Sequence, residues 1–271
     1  MNLPANKSGL PITQSVRIRT PRDGAERLSL NSLLKEMPRR VGRYRILEFI
    51  GAGSMGIVYK GVDPGLGRTV AIKTIRFDLF SPKLDYQRFI TRFYQEGRIS
   101  GTLSHPNIVS LYDMGETEHR MPFLAMEYVE GKTLSEMLAE AEPFHPERQL
   151  ALLSQTARAI DYAHGKGVIH RDIKPSNIIV EHTGRVKITD FGIAKLVHSQ
   201  LTQTQGSQLG TPGYMSPEQV KGESVDTRSD IFSLGVVAFE LLSGERPFPG
   251  PHVAAVLYRL VHSEPNRPTN L

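Results

Sequence analysis

The segment His170-Arg171-Asp172-Ile173-Lys174-Pro175-Ser176-Asn177 packs an acid, a cation and an amide into one loop, with Asn177 five positions beyond Asp172. Asp190-Phe191-Gly192 begins 18 residues after Asp172, behind the strand-like Val186-Lys187-Ile188. An acid oxygen and an amide oxygen approaching from two neighbouring loops form a hard donor pair suited to Mg²⁺ beside phosphates. Upstream, Gly51-Ala52-Gly53-Ser54-Met55-Gly56 lies between two strand-like runs. Its glycines would therefore lay backbone amides over phosphates from a hairpin, not from a helix N-terminus; alone, the pattern fits an ordinary flexible hairpin equally well. Val70-Ala71-Ile72-Lys73 sets an ammonium in an apolar strand. A buried lysine needs an anionic partner, and Glu96, on the apolar face of a later helix, is an available one; the alternative is a snorkelling Lys73 and a solvated Glu96.

These groups must be positioned by two kinds of element. Tyr44–Ile50, Val58–Val62 and Thr69–Ile75 are short β-type runs punctuated by glycines and by Asp63-Pro64-Gly65, and they predict three antiparallel strands. A helix is expected over about Gln87–Leu103, with Phe89, Phe93, Glu96 and Ser100 on one face. Strand signals return at Ile108–Tyr112 and Pro122–Tyr128, after which the chain reads as largely helical. Thr133 and Glu136 have capping-box spacing. Helices are predicted over Arg148–Lys166, with Leu150, Leu153, Ala157 and Ile160 in register, and over Ser229–Ser243 with Gly244 as its C-cap. Strands first and helices later predict an α+β chain of two lobes: a small antiparallel β lobe, then a larger, mainly helical one.

Composition narrows the functional classes. The 271 residues contain no cysteine, which excludes disulfides, zinc-thiolate sites and a cysteine nucleophile, and is compatible with a reducing cytosol. The longest apolar stretch, Ile231 to Leu242, is 12 residues, contains Glu240 and is too short to span a bilayer. No secretion signal is expected at the N-terminus. Residues 1–43 hold nine Lys/Arg against three Asp/Glu, a net +6, whereas residues 44–271 hold 24 against 25. The basicity belongs to a proline-dispersed arm lacking interleaved aromatics, so no nucleic-acid partner is expected. Within that arm Leu30, Leu33, Leu34 and Met37 make a short apolar stripe, open to reading as a fraying turn or as a docking helix.

Taken together, the glycine loop, Val-Ala-Ile-Lys, His-Arg-Asp, Asp-Phe-Gly and Ser216-Pro217-Glu218 resemble the protein kinase catalytic domain, specifically the bacterial, eukaryotic-like (Hanks-type) serine/threonine kinases. The resemblance runs from residue 44 to about 268. It departs from the family at Ser216, where alanine is usual, and at Phe232, where many members carry tryptophan. It implies an N-lobe of about 44–127 and a C-lobe of about 130–271. By this resemblance Gly51, Gly53 and Gly56 would cover ATP, Lys73 paired with Glu96 would hold its phosphates, and Ile50, Val58 and Ala71 would enclose adenine. Met126 falls at the gatekeeper position, before the Glu127-Tyr128-Val129 backbone that would meet the purine edge; apolar core residues are an equal reading of these positions. Asp172 would take or orient the substrate proton, Lys174 would stabilise the transferring phosphoryl, and Asn177 with Asp190 would hold Mg²⁺, or Mn²⁺ in its place. Asp-x-Lys-Pro-x-Asn is associated with serine/threonine specificity, so the expected partners are ATP and protein substrates.

Two further expectations come with the resemblance. Family members continue into further C-lobe helices that supply an arginine for Glu218, so the C-lobe reads as lacking its final helices and Glu218 as a charge without its partner; an anchor beyond residue 271 would set final localisation, this segment being expected in the cytoplasm. Ser199, Thr202, Thr204, Ser207 and Thr211 lie in a polar loop before Ser216, and the family uses the arginine equivalent to Arg171 to hold a loop phosphate. Thr202 and Thr204 resemble paired autophosphorylation sites, which implies self-association, while Thr211 would help build the catalytic site. A nucleotide-binding scaffold and a small-molecule phosphotransferase are the competing classes; the platform from Gly210 to Glu218 weighs against the latter.

Overall fold

The computed structural model describes residues 37–53, 56–75, 86–140, 144–191 and 212–268. The chain divides into two units, Met1–Met37 and Pro38–Leu271. The stripe from Leu30 falls in the first unit and, Met37 apart, lies outside the described residues, as do Ser199, Thr202, Thr204, Ser207 and Thr211.

The second unit opens with a six-stranded antiparallel sheet. Its strands are β1 (Arg40–Val41), β2 (Tyr44–Gly53), β3 (Gly56–Val62), β4 (Thr69–Ile75), β5 (Leu111–Glu116) and β6 (Pro122–Glu127), in the order β1-β2-β3-β4-β6-β5. The sheet thus begins at Arg40, inside the span read as an arm, because Val41 pairs with Tyr44 across a two-residue turn in which Gly42 has φ +53°. Asp63 sets the β3–β4 turn: its Oδ1 accepts from Gly65 N at 3.0 Å and its carbonyl from Gly67 N at 2.8 Å.

Helix α1 (Tyr86–Ser100) covers one face of this sheet. It buries Phe89, Ile90, Phe93 and Gly97 against Ala71, Ile75, Leu124 and Met126. Each large side chain removed from water there contributes about 1.5–3 kcal/mol. A Cβ on Gly97 would meet Met114 Cε at 2.1 Å, so the Met114 side chain of β5 packs directly on the helix backbone there and would have to move aside for any larger residue. Relative to the expected face, Glu96 and Ser100 lie on the flank.

Ile108 and Val109 do not extend β5, contrary to the sequence reading. Ile108 bridges Ile188 in parallel and Val109 N donates to Ile188 O at 2.9 Å, which ties the segment to the second half of the unit. That half contains a small sheet of β7 (Gly131–Thr133), β8 (Ile178–Glu181) and β9 (Val186–Ile188). The strand-like Val186–Ile188 is β9, whereas β7 and β8 are not legible in the sequence, since runs so short carry little periodicity. A Cβ on Gly131 would sit 2.3 Å from Val180 O, so this pairing also depends on a glycine.

The helices are α2 (Leu134–Ala139), α3 (Pro146–Gly165), α4 (Pro217–Lys221), α5 (Thr227–Ser243) and α6 (Val253–His262). α2 starts at the Thr133/Glu136 capping box. α5 ends at Gly244 with φ +74°, a left-handed cap. The buried face of α3 is Leu152, Thr156, Ala159, Ile160 and Ala163, packed in one core with Val236, Val237 and Leu241 of α5. Of the expected stripe only Ile160 is buried; Leu150 is exposed. Thr156 breaks the apolar pattern of the true face, satisfying its hydroxyl on Leu152 O at 2.8 Å. No helix among the described residues is long and apolar enough to cross a membrane.

Candidate active site

Lys73 enters the site from the middle of β4, opposite Val58 on β3 and Leu124 on β6. It is 8% exposed, and its Nζ lies 2.8 Å from Asp190 Oδ1. Asp190, not Glu96, is therefore the ion partner of Lys73 in this structure. Burial works against the Asp190 charge, but Lys73, with smaller help from His170 and Lys174, holds the carboxyl below the ordinary 3.8. Glu96 instead lines a cavity between α1 and the Thr189-Asp190-Phe191 turn, beside Ser100 and Met126.

Asp190 has φ +70°, a conformation that aspartate tolerates better than most residues. Its neighbours fix the turn. His170 Nε2 lies 2.8 Å from Thr189 O, the rings of His170 and Phe191 meet edge-on at 4.5 Å, and Ser100 Oγ donates to Phe191 O at 2.9 Å. Thr189 N donates to Asn177 O at 3.0 Å, joining this turn to the loop that holds Asp172.

The Asp172 loop is anchored from beneath by Asp230 on α5, which is 1% exposed. Its carboxylate accepts from the backbone N–H groups of His170 at 2.8 Å and Arg171 at 2.7 Å, and lies 2.7 Å from His164 Nε2 at the end of α3. Burial opposes its charge, yet His164, His170 and the two backbone donors keep the carboxyl below 3.8. Gln219 of α4 adds a bond from Nε2 to Arg171 O at 2.7 Å. Arg171 has φ +70°, and its half-buried guanidinium forms no ion pair among the described residues.

Above this anchor Lys174 Nζ lies 2.6 Å from Asp172 Oδ2, and Asn177 Nδ2 donates to Asp172 Oδ2 at 3.1 Å and to its carbonyl at 2.8 Å. Both contacts fall on one carboxylate oxygen. Asp172 Oδ1 and Asn177 Oδ1 form no hydrogen bond among the described residues, the first remaining for a proton and the second for a cation. Asn177 Oδ1 and Asp190 are the hard oxygen donors that Mg²⁺ uses alongside phosphates.

The expected adenine pocket is assembled in part. Ala71 and Met126 are register neighbours and buried, Val58 is half-buried, and Ile50 is 43% exposed at the outer edge. Glu127 commits its carboxylate to Lys187 at 2.7 Å and its N–H to Ser110 O at 2.9 Å. Val129 N–H forms no backbone hydrogen bond among the described residues. A Cβ on Gly51 would point into open space, whereas one on Gly56, at φ +152°, would strike Thr74 O at 1.7 Å. The glycine loop is thus bound tightly to β4 at Gly56 and open at Gly51, which suits a phosphate cover.

Glu218, expected without a partner, accepts a hydrogen bond from Ser229 Oγ at the start of α5. Burial raises its pKa, but Ser229 and nearby donors more than compensate and lower it. Sequence reasoning missed His164, Ser100 and Thr189 as supports of the loops, and gave Asp230 no role. His164 and Asp230 are 66 residues apart, so no local pattern could have joined them.

The protein kinase domain family matches residues 44–266. The chain is 45% identical over 223 residues to the serine/threonine-protein kinase PrkC of Bacillus subtilis, covering 82% of this chain and 34% of that protein. It is 43% identical over 240 residues to the probable serine/threonine-protein kinase SCO3848 of Streptomyces coelicolor, covering 86% and 35%. Against the serine/threonine-protein kinase PknB of Mycobacterium tuberculosis the identity is 40% over 233 residues, covering 84% and 36%. The chain belongs to the protein kinase family, and it spans about a third of the length of these relatives.

Proposed function

We propose that this chain transfers the γ-phosphoryl of ATP to serine and threonine hydroxyls of proteins. The observation that carries the reading is the Asp172 carboxylate, gripped on Oδ2 by Lys174 and Asn177 and with no hydrogen bond to Oδ1 among the described residues, beside the Lys73–Asp190 pair. The substrate hydroxyl oxygen bonds to the γ-phosphorus as the bond to the β–γ bridging oxygen breaks. ADP leaves with that electron pair, and the hydroxyl proton passes to Asp172 Oδ1. Lys174 balances charge on the transferring group. Lys73 holds the α- and β-phosphates under Gly51, Gly53 and Gly56; Ile50, Val58, Ala71 and Met126 enclose adenine; the Glu127 and Val129 backbone meets its edge. A divalent cation, Mg²⁺ or Mn²⁺, on Asn177 and Asp190 supplies neutralisation of phosphate charge. Lys73 engages only Oδ1 of Asp190, so Oδ2 would remain to hold the cation, and Glu96 is the second carboxylate that would pair with Lys73.

Control is proposed to reside at Thr202 and Thr204, phosphorylated in a self-associated pair and read by the Arg171 guanidinium, which has no ion pair among the described residues, with Thr211 beside the substrate. The segment is read as cytoplasmic, consistent with its lack of cysteine. The deciding experiment incubates the protein with ATP, Mg²⁺ and serine/threonine peptides, with Asp172→Asn as the comparison. Transfer should disappear in the variant while nucleotide binding persists. Equal transfer by Asp172→Asn, or transfer to a small alcohol but not to peptide, would reject the reading. Mass spectrometry of the fully active protein should find Thr202 and Thr204 modified; finding both bare would remove the switch.

A further inference from the structure

A second cleft, of about 440 Å³, lies between the Pro106-Asn107 segment, the exposed side of α3 and the Thr183–Arg185 turn joining β8 to β9. Its floor is cross-linked through one side chain. Gln155 Oε1 accepts from the buried Asn107 Nδ2 at 3.0 Å and from Val186 N at 3.0 Å, and Gln155 Nε2 donates to Gly184 O at 3.0 Å. Asn107 Nδ2 also donates to Val186 O at 2.8 Å. The three walls are therefore held before anything binds, which spares a ligand the entropy of ordering them.

The rim has one sign of charge. Arg158 from α3 and Arg185 from the turn both line the cleft, both are exposed, and neither has a carboxylate within 4.0 Å among the described residues. No aspartate or glutamate lines the cleft. The positive field reaches His105, whose protonation is depressed first by burial and then by Arg158 and Lys187.

Two guanidiniums on different walls suit two separate anionic groups along an extended chain better than one compact dianion. No aromatic side chain lines the cleft for a base to stack on, and residues 44–271 carry 24 basic against 25 acidic residues, which favours a peptide over a nucleic acid. We propose that this cleft docks an Asp/Glu-rich segment of a protein substrate through Arg158 and Arg185, away from the catalytic loop. The proposal rests on the kinase reading only for the identity of the occupant. Tethering there would raise the local concentration of an acceptor hydroxyl at Asp172.

The test uses the full chain and three fluorescein-labelled peptides of equal length: one rich in aspartate and glutamate, one carrying a single phosphoserine among neutral residues, and one rich in lysine. Anisotropy should show binding of the acidic peptide, weakened by added salt, and none of the lysine peptide. Arg158→Glu with Arg185→Glu should weaken the acidic peptide by about tenfold or more, and the paired lysine variants by less. Unchanged thermal melting would show that these exposed changes leave the fold intact. In phosphoryl transfer, the double charge reversal should raise KM for an acceptor fused to the acidic segment by a similar factor, with kcat and the tail-less acceptor unaffected. Acidic-peptide binding that ignores charge reversal, absent binding at low salt, or tighter binding of the phosphoserine peptide would each overturn the docking site. Arginine-dependent binding without any phosphoryl transfer would support the site and overturn the kinase reading instead.

Discussion

Lys73 and Asp190 are both mostly removed from water, and each depends on the other's charge. Removing one partner leaves a buried uncompensated ion, at a cost of about 3–5 kcal/mol, whereas removing both costs less than the sum. A double-mutant cycle with Lys73→Met and Asp190→Asn in the nucleotide-free protein, read by chemical denaturation, should therefore give a coupling of about 1–3 kcal/mol. The same cycle with Glu96→Gln should give much less; an equal coupling would place Glu96 in the resting pair after all. Asp172 is a different case, since the role proposed for it is chemical. Asp172→Asn nearly preserves shape, so nucleotide affinity measured by calorimetry should stay within about threefold while transfer falls by about 10²–10⁴.

At the scale of elements, the Asp172 loop stands on α5 through Asp230. Its folded-state pKa is lowered, so its contribution to stability is fully present above the ordinary 3.8 and is lost as pH falls through the lower folded value. Asp230→Asn, which also strands His164 and weakens two backbone donors, should destabilise the protein by about 3–5 kcal/mol at neutral pH. Its melting temperature should vary less than that of the parent between pH 5 and pH 3. An unchanged acid dependence would show that another carboxylate governs it. The glycine hairpin makes an equally sharp case. Gly56→Ala must move Cβ away from Thr74 O, a strain of about 1–3 kcal/mol that the β2–β3 hairpin would relieve by lifting off β4. Weaker nucleotide binding with little change in overall stability is the expected result, measured by calorimetry beside thermal melting.

Over the whole molecule, the division falls between Met37 and Pro38, just before Arg39 O accepts from Ile46 N at 3.1 Å. Deleting residues 1–37 should leave transfer to a generic peptide within a few-fold of the parent, as expected where the deletion stays ahead of β1 (Arg40–Val41). A loss beyond about tenfold, followed by steady-state kinetics, would show that the Leu30–Met37 stripe docks on the kinase domain. Within the second unit, Ile108 and Ile188 are bridged inside the core that α3 and α5 share, while Ala71 and Met126 lie in the core under α1, and the Lys73–Asp190 pair links β4 to the turn that follows β9.

The chain itself determined its family, the candidate groups for its chemistry and roughly where each element lies. Asp172, Lys174 and Asn177 are adjacent in one loop, and period-2 and helical patterns are local, so both are legible residue by residue. The α3 face was misread because a single buried threonine disguises an apolar stripe, and β7 and β8 were missed because they are too short to carry a pattern. Partner choice was not local at all. Lys73 had two carboxylates within reach of a sequence argument, and only tertiary packing, which buries Asp190 against it and leaves Glu96 on the flank of α1, selected between them. Glu218 found Ser229, and Asp230 found His164 and two backbone amides, for the same reason. A buried charge must be satisfied by whatever donor the completed fold brings within hydrogen-bond distance, and that distance exists only once residues far apart in the chain have packed.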